Sequence, residues 1–165
     1  MVDADASVRR GHPVIFGLVA LFSLIEMCIT AYLTSRYNAN GYPSGHFTGT
    51  IRFGLFVSIW TLFFSIAYLA IFLTGVQNFM SSIASHGVWL FITWVFWLAY
   101  AASTAAMLQG PGRCGGDISH CTQNVAAEAF AWMNWILLTF AFIAVVLLGV
   151  RSMRKGERIS GPLTA

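Results

Sequence analysis

The feature that most constrains this chain is a long apolar run close to its beginning. Residues 13–34 read PVIFGLVALFSLIEMCITAYLT and contain one carboxyl side chain, Glu26. Crossing a hydrocarbon core about 30 Å thick takes roughly 20 apolar helical residues, so the run predicts a transmembrane helix. A charge at membrane depth costs at least about 2.5 kcal/mol, and Glu26 must therefore be protonated, paired or turned into a helix bundle.

Three further apolar runs follow, at residues 51–74, 87–108 and 125–150. Of the 165 residues, 58% are hydrophobic and 9% are charged, whereas a soluble domain is about 25% charged. The sequence therefore predicts an all-α integral membrane protein, a left-handed bundle of four transmembrane helices. We expect a disordered N-terminal tail (1–12), one four-span domain (13–150) and a basic C-terminal tail (151–165), because no other segment reaches about 50 residues, the size of a small domain.

Basic residues follow the last span directly and predict contact with a membrane surface. This cluster consists of Arg151, Arg154, Lys155 and Arg158. Its position beside a span favours anionic lipids over nucleic acid as the partner of this chain, whose net charge is +3. The termini and the middle loop carry six Lys or Arg residues near the spans against three in the other two loops. The positive-inside rule then places both termini in the cytoplasm.

The cysteines are distributed between one predicted loop and one predicted span. Cys114 and Cys121 enclose six residues that include glycines, and we predict a disulfide between them that contributes about 2 to 3 kcal/mol. Free thiols are one alternative, and a metal site that includes His120 is another. Both loop cysteines fall on the predicted outer side, where disulfides persist. Cys28 is expected to be a small, buried apolar residue of the first span.

Glu26 and Arg52 are predicted to form an ion pair between the first two helices. Glu26 lies about eight residues from the outer end of its span, and Arg52 begins the next span at the same side. A long guanidinium side chain can reach inward toward a neighbouring carboxylate. The competing interpretation is a proton or cation relay, since intramembrane carboxylates are commonly functional. The second and third spans contain no other acid at matching depth.

Other polar and small residues in the spans call for specific packing. Glu128 is predicted to lie in the first turn of the fourth helix, where it would complement the helix dipole. Asn134 lies deeper and needs a partner across the bundle. Gly54 and Ser58 form a small-xxx-small pair that permits close helix approach.

Sequence motifs for catalysis are missing. The chain contains no nucleophile motif and no phosphate-binding glycine loop. Its four histidines are scattered over both membrane faces and form no ligand set. We therefore expect a protein that is not an enzyme and has no metal or other cofactor.

Four segments in order carry a resemblance to a known family. They are IEMCITAYLTSRYN, RFGLFVSIWTLF, TWVFWLAYAAS and QNVAAEAFAWMNWILL. Over about residues 13–150 the chain resembles a fungal MARVEL-domain protein. The resemblance implies a role in membrane apposition or lateral organisation, as in the myelin, occludin and synaptophysin relatives of the wider family, without chemistry.

The predicted function is therefore that of a membrane scaffold or organiser in the plasma membrane or secretory pathway. Its expected partners are the lipid bilayer, a second copy of the chain or other membrane proteins. One alternative is a small transporter or channel subunit that uses Glu26. Another is an accessory subunit of a larger membrane complex, docked through an aromatic face of the third helix formed by Trp89, Phe96 and Tyr100.

Overall fold

Four long helices account for most of the chain. A computed structural model describes residues 4–74, 83–110 and 118–154. Within these ranges the helices are α1 (Ala4–Asn40), α2 (Gly45–Thr74), α3 (Ile83–Met107) and α4 (Cys121–Arg154), and no strand occurs. Each contains a stretch long and apolar enough to cross a membrane, namely Pro13–Asn40, Gly45–Ile71, Ser85–Met107 and Cys121–Leu147. The predicted fold class is confirmed.

The first helix begins well before the membrane span. Pro13 lies inside α1, which starts at Ala4. The prediction of a disordered tail is therefore wrong for residues 4–12, and residues 1–3 lie outside the described part. The sequence ADASVRR supports this extension, because Ala and Arg favour helices and an early Asp complements the helix dipole. At the other end, α4 continues four residues beyond Val150, to Arg154.

The helices form a four-sided bundle. α1 packs against α2 and α4, and α3 packs against the same two helices. The pairs α1–α3 and α2–α4 are therefore the diagonals of the bundle. Consecutive helices run antiparallel because short connections join them.

Buried positions recur every three or four residues along each helix. In α1 they are Phe16, Val19, Ser23, Glu26, Thr30, Leu33 and Tyr37. In α4 they are Asn124, Ala127, Ala131, Asn134, Leu138, Ala141 and Val145, and Glu128 is buried beside Ala127. This alternation of three and four is the spacing expected of left-handed bundle packing. The opposite helix faces expose large apolar residues such as Leu21, Phe63 and Phe140, as a surface in contact with lipid requires.

Candidate functional site

A carboxyl group lies in the centre of the bundle. Glu26 is thirteen residues from the start of its span at Pro13 and fourteen from the end at Asn40, and its side chain is completely buried. Tyr100, on the diagonally opposite helix α3, is also completely buried and donates its hydroxyl to Glu26 Oε1 at 2.7 Å. This hydrogen bond connects α1 and α3 across the diagonal of the bundle.

Gly54 of α2 makes room for that hydrogen bond. A Cβ atom at position 54 would overlap the phenol ring and hydroxyl of Tyr100. The backbone oxygen of Gly54 accepts a hydrogen bond from Ser58 Oγ at 2.7 Å. The predicted close approach at Gly54 therefore exists, but the group that approaches is an aromatic side chain from α3.

Asn134 brings α4 into the same region. Ser23 Oγ donates to Asn134 Oδ1 at 3.5 Å, a long hydrogen bond, and Asn134 Nδ2 donates to the Phe130 carbonyl at 3.1 Å. The prediction that Asn134 finds a partner across the bundle is confirmed. We call the following residues the central polar layer: Ser23, Glu26, Gly54, Tyr100 and Asn134.

The predicted ion pair between Glu26 and Arg52 is wrong. Arg52 is exposed, donates from Nη2 to Asn38 Oδ1 at 3.3 Å and lies over the Tyr42 ring at 5.7 Å. Among the described residues, Glu26 Oε2 is buried without a hydrogen-bond partner. Helical side chains point toward the N-terminus of their helix, which carries the guanidinium outward. Tyr100 satisfies Glu26 Oε1 without the cost of burying a guanidinium.

Two other residues lie elsewhere than predicted. Cys28 is exposed, because the buried face of α1 passes through Glu26 and Thr30 and leaves position 28 toward lipid. The prediction of a buried Cys28 is therefore wrong. Glu128 is buried and lies in the third turn of α4, since that helix begins at Cys121. Its predicted place in the first turn is also wrong.

The aromatic residues of α3 do not form the predicted external docking face. Trp89 and Tyr100 are 5% and 0% exposed. Phe96 is half-buried and packs against Phe53 and Trp60 of α2, with ring centroids 6.0 and 6.1 Å apart. These rings fill the interior between α2 and α3, so the docking surface assigned to them is incorrect.

Among the described residues, three indole–hydroxyl hydrogen bonds join α3 to its neighbours. Each indole nitrogen donates to a threonine on another helix: Trp97 to Thr61 at 2.9 Å, Trp60 to Thr93 at 3.1 Å and Trp94 to Thr139 at 2.8 Å. The first two connect α2 with α3, and the third connects α3 with α4. Threonine therefore provides the acceptors that these three tryptophans need in an apolar interior.

Tyr37 ties the end of α1 to the start of α4. Its hydroxyl donates to the Ser119 carbonyl at 2.7 Å and accepts from Asn124 Nδ2 at 2.9 Å. Cys121 begins α4 beside this contact, whereas Cys114 lies outside the described residues. The Cys114–Cys121 disulfide therefore remains a prediction.

The predicted lipid-binding cluster is only partly within the described chain. Arg151 and Arg154 belong to the last turn of α4, while Lys155 and Arg158 lie outside the described residues. In the described part, no group of three or more His, Cys, Asp or Glu residues could hold a metal ion. The side chains of the central polar layer form hydrogen bonds between helices, and this is the role that their positions support.

Comparison with known proteins identifies one family. A family model described as "MARVEL: Membrane-associating domain" matches residues 7–147, which is 141 of the 165 residues. Searches of curated proteins and of solved structures found no match. The matched region begins in α1 and includes all four membrane spans. The chain therefore belongs to the MARVEL family of membrane-associating domains.

Proposed function

We propose that this protein is a non-enzymatic scaffold that organises lipids and other proteins within its membrane. The proposal rests on the observation that the side chains of the central polar layer point into the bundle. Side chains of the central polar layer hydrogen-bond inside the bundle, and large apolar residues cover the lipid-facing side. Such a molecule offers the bilayer an apolar belt, so its contacts with other molecules fall on that belt and on its two ends.

The ends of the bundle give the scaffold its expected partners. On the positive-inside rule both termini are cytoplasmic, and the cluster of Arg151, Arg154, Lys155 and Arg158 then faces the anionic inner leaflet. Each such residue contributes about 1 kcal/mol of attraction near the surface. The proposal also includes what the resemblance to fungal MARVEL-domain proteins implies: a fungal source, a location in the plasma membrane or secretory pathway, and association with further copies or other membrane proteins.

Transport through Glu26 is the alternative function, and the hydrogen bond between Tyr100 and Glu26 is evidence against it. Tyr100 crosses the bundle to reach Glu26, and its ring fills the space beside Gly54. A path for protons or ions along the bundle axis would require Tyr100 to move away from both Glu26 and Gly54. The contacts of Tyr100 with Glu26 and Gly54 do not provide such a path in this conformation. They therefore support the scaffold over the transporter.

The test is lateral diffusion in giant vesicles that contain the full chain. The membrane consists of phosphatidylcholine with a minority of phosphatidylserine, and one of the two lipids carries a fluorophore. We expect recovery after photobleaching to slow more for labelled phosphatidylserine than for labelled phosphatidylcholine as protein density rises. Replacing Arg151, Arg154, Lys155 and Arg158 with Gln should remove the difference, whereas replacing Arg36 alone should retain most of it.

Two results would contradict the proposal. Equal slowing of both lipids in the unmodified protein would mean that obstruction alone acts on them. A proton flux into liposomes, detected with an internal pH dye and abolished by Glu26→Gln in a protein of unchanged helicity, would instead favour the transporter.

A further inference from the structure

Arg52 has a defined orientation near the start of α2. Its guanidinium lies 5.7 Å from the centre of the Tyr42 ring, and its Nη2 donates to Asn38 Oδ1. The Tyr42 hydroxyl donates to that same Asn38 oxygen at 3.1 Å. A guanidinium has five N–H donors in a planar fork. Asn38 takes one hydrogen bond from it, and most of the fork is still available to a ligand.

The surface of α2 beside Arg52 is open. Gly45 and Gly49 precede Arg52 by seven and three residues, so the three positions share one face of the helix. A Cβ atom at either glycine would meet nothing within 4 Å. A helical side chain points toward the N-terminus of its helix, so the Arg52 side chain is directed toward this end of α2, where its guanidinium meets Asn38 and Tyr42. The positive end of the α2 dipole lies in the same direction.

The charge of Arg52 is not neutralised within the described residues. Glu26 and Glu128, the acids whose side chains the structure describes, are both buried in the bundle, and neither contacts Arg52. Arg36 provides an internal comparison at the same end of α1. It is exposed and lies over Tyr32 at 5.7 Å, but among the described contacts it has no counterpart to the Asn38 hydrogen bond. Arg52 therefore combines free donors, a defined orientation and adjacent space.

We propose that Arg52, positioned by Asn38 and Tyr42 beside the glycine face of α2, binds the phosphate of a phospholipid in the leaflet around this end of the bundle. Guanidinium and phosphate match in a bidentate geometry. Arg52 lies about 10 Å along the helix from Gly45, so an outward-directed side chain reaches the headgroup level. This site is at the end of the bundle opposite to the C-terminal basic cluster and does not depend on the proposed function.

The test is native mass spectrometry of the full chain in detergent, titrated with phosphatidylglycerol. Diacylglycerol, which lacks the phosphate, and inorganic phosphate serve as the two comparison ligands. We expect Arg52→Gln to weaken phosphatidylglycerol binding about tenfold, in line with the loss of a charge-assisted hydrogen bond. Arg36→Gln removes the same charge from the same end and should change the binding less than about twofold.

A second variant keeps Arg52 in place. Gly49→Leu places a side chain on the open face, where residue 49 is exposed and nothing lies within 4 Å of its Cβ position, and should weaken binding by a similar factor. Circular dichroism checks that each variant retains its helicity. Equal weakening by Arg36→Gln and Arg52→Gln would overturn the site, as would unchanged binding in Arg52→Gln. Displacement of the lipid by equimolar inorganic phosphate would show that a free anion is the ligand.

Discussion

At the scale of single residues, the absence of a side chain at Gly54 decides how the bundle centre is built. The phenol ring of Tyr100 occupies the volume that a Cβ of residue 54 would take, and from there its hydroxyl reaches Glu26. Small residues at helix interfaces usually let two backbones approach. Here the space admits a ring from the third helix, so one glycine links α1, α2 and α3.

Gly54→Ala should therefore destabilise the protein strongly, although it adds only one methyl group. The methyl group displaces Tyr100, which costs about 1 to 3 kcal/mol in packing and leaves Glu26 without its donor. Gly17→Ala is the matched control, because nothing lies within 4 Å of that Cβ position in α1; we expect it to be neutral or slightly stabilising. Thermal unfolding in detergent measures both. If Tyr100→Ala fails to relieve the cost of Gly54→Ala, the steric explanation is wrong.

The partner of Glu26 shows where the sequence stops being informative. The apolar run predicts that Glu26 must be satisfied inside the bundle, and the structure places it there. The sequence suggested Arg52 because opposite charges are the visible signal. Tyr100 lies at a comparable depth in its own span, and this depth was the available clue. Pairing across a diagonal depends on helix rotation and register, which a single sequence does not encode locally.

At the scale of the helices, α3 is fixed to its neighbours by tryptophan donors and threonine acceptors. The contact between Trp97 and Thr61 is completely buried on both sides. An indole N–H that loses its acceptor in an apolar interior remains unsatisfied, since no water replaces it. The threonines have a second advantage, because their methyl groups pack like those of valine. The packing of α2 against α3 therefore includes polar contacts with defined geometry.

Thr61→Val should destabilise the α2–α3 contact while nearly conserving volume. Hydrogen bonds between membrane helices contribute about 0.6 kcal/mol on average and up to about 1.7 kcal/mol, and we expect a value in the upper half of this range. Thr34→Val is the control, because the Thr34 hydroxyl donates to the Thr30 carbonyl of its own helix. A double-mutant cycle that combines Thr61→Val with Trp97→Phe measures the coupling energy between the two side chains. Zero coupling, or equal effects of both Val variants, would contradict the assignment.

At the scale of the whole molecule, the sequence predicted the number and the limits of the spans well. Each predicted boundary lies within six residues of the corresponding membrane stretch, because hydrocarbon thickness dictates both the length and the composition of a span. The outward position of Cys28 and the internal position of Trp89 were not predicted. Both depend on how each helix is rotated, and spans that are apolar on all sides carry little information about rotation.

The orientation of the bundle and the disulfide are linked predictions. Tyr37 joins the end of α1 to Ser119, so the exposed Ala39 and Cys121 lie at the same end. With cytoplasmic termini, a membrane-impermeant maleimide on intact cells should label Ala39→Cys but not Ser7→Cys, both in a Cys28→Ala background. Mass spectrometry without reductant should then find Cys114 linked to Cys121, since their end faces an oxidising compartment. Labelling of Ser7→Cys with protection of Ala39→Cys would show that the orientation is opposite to the predicted one. Recovery of both loop thiols in reduced form would refute the disulfide.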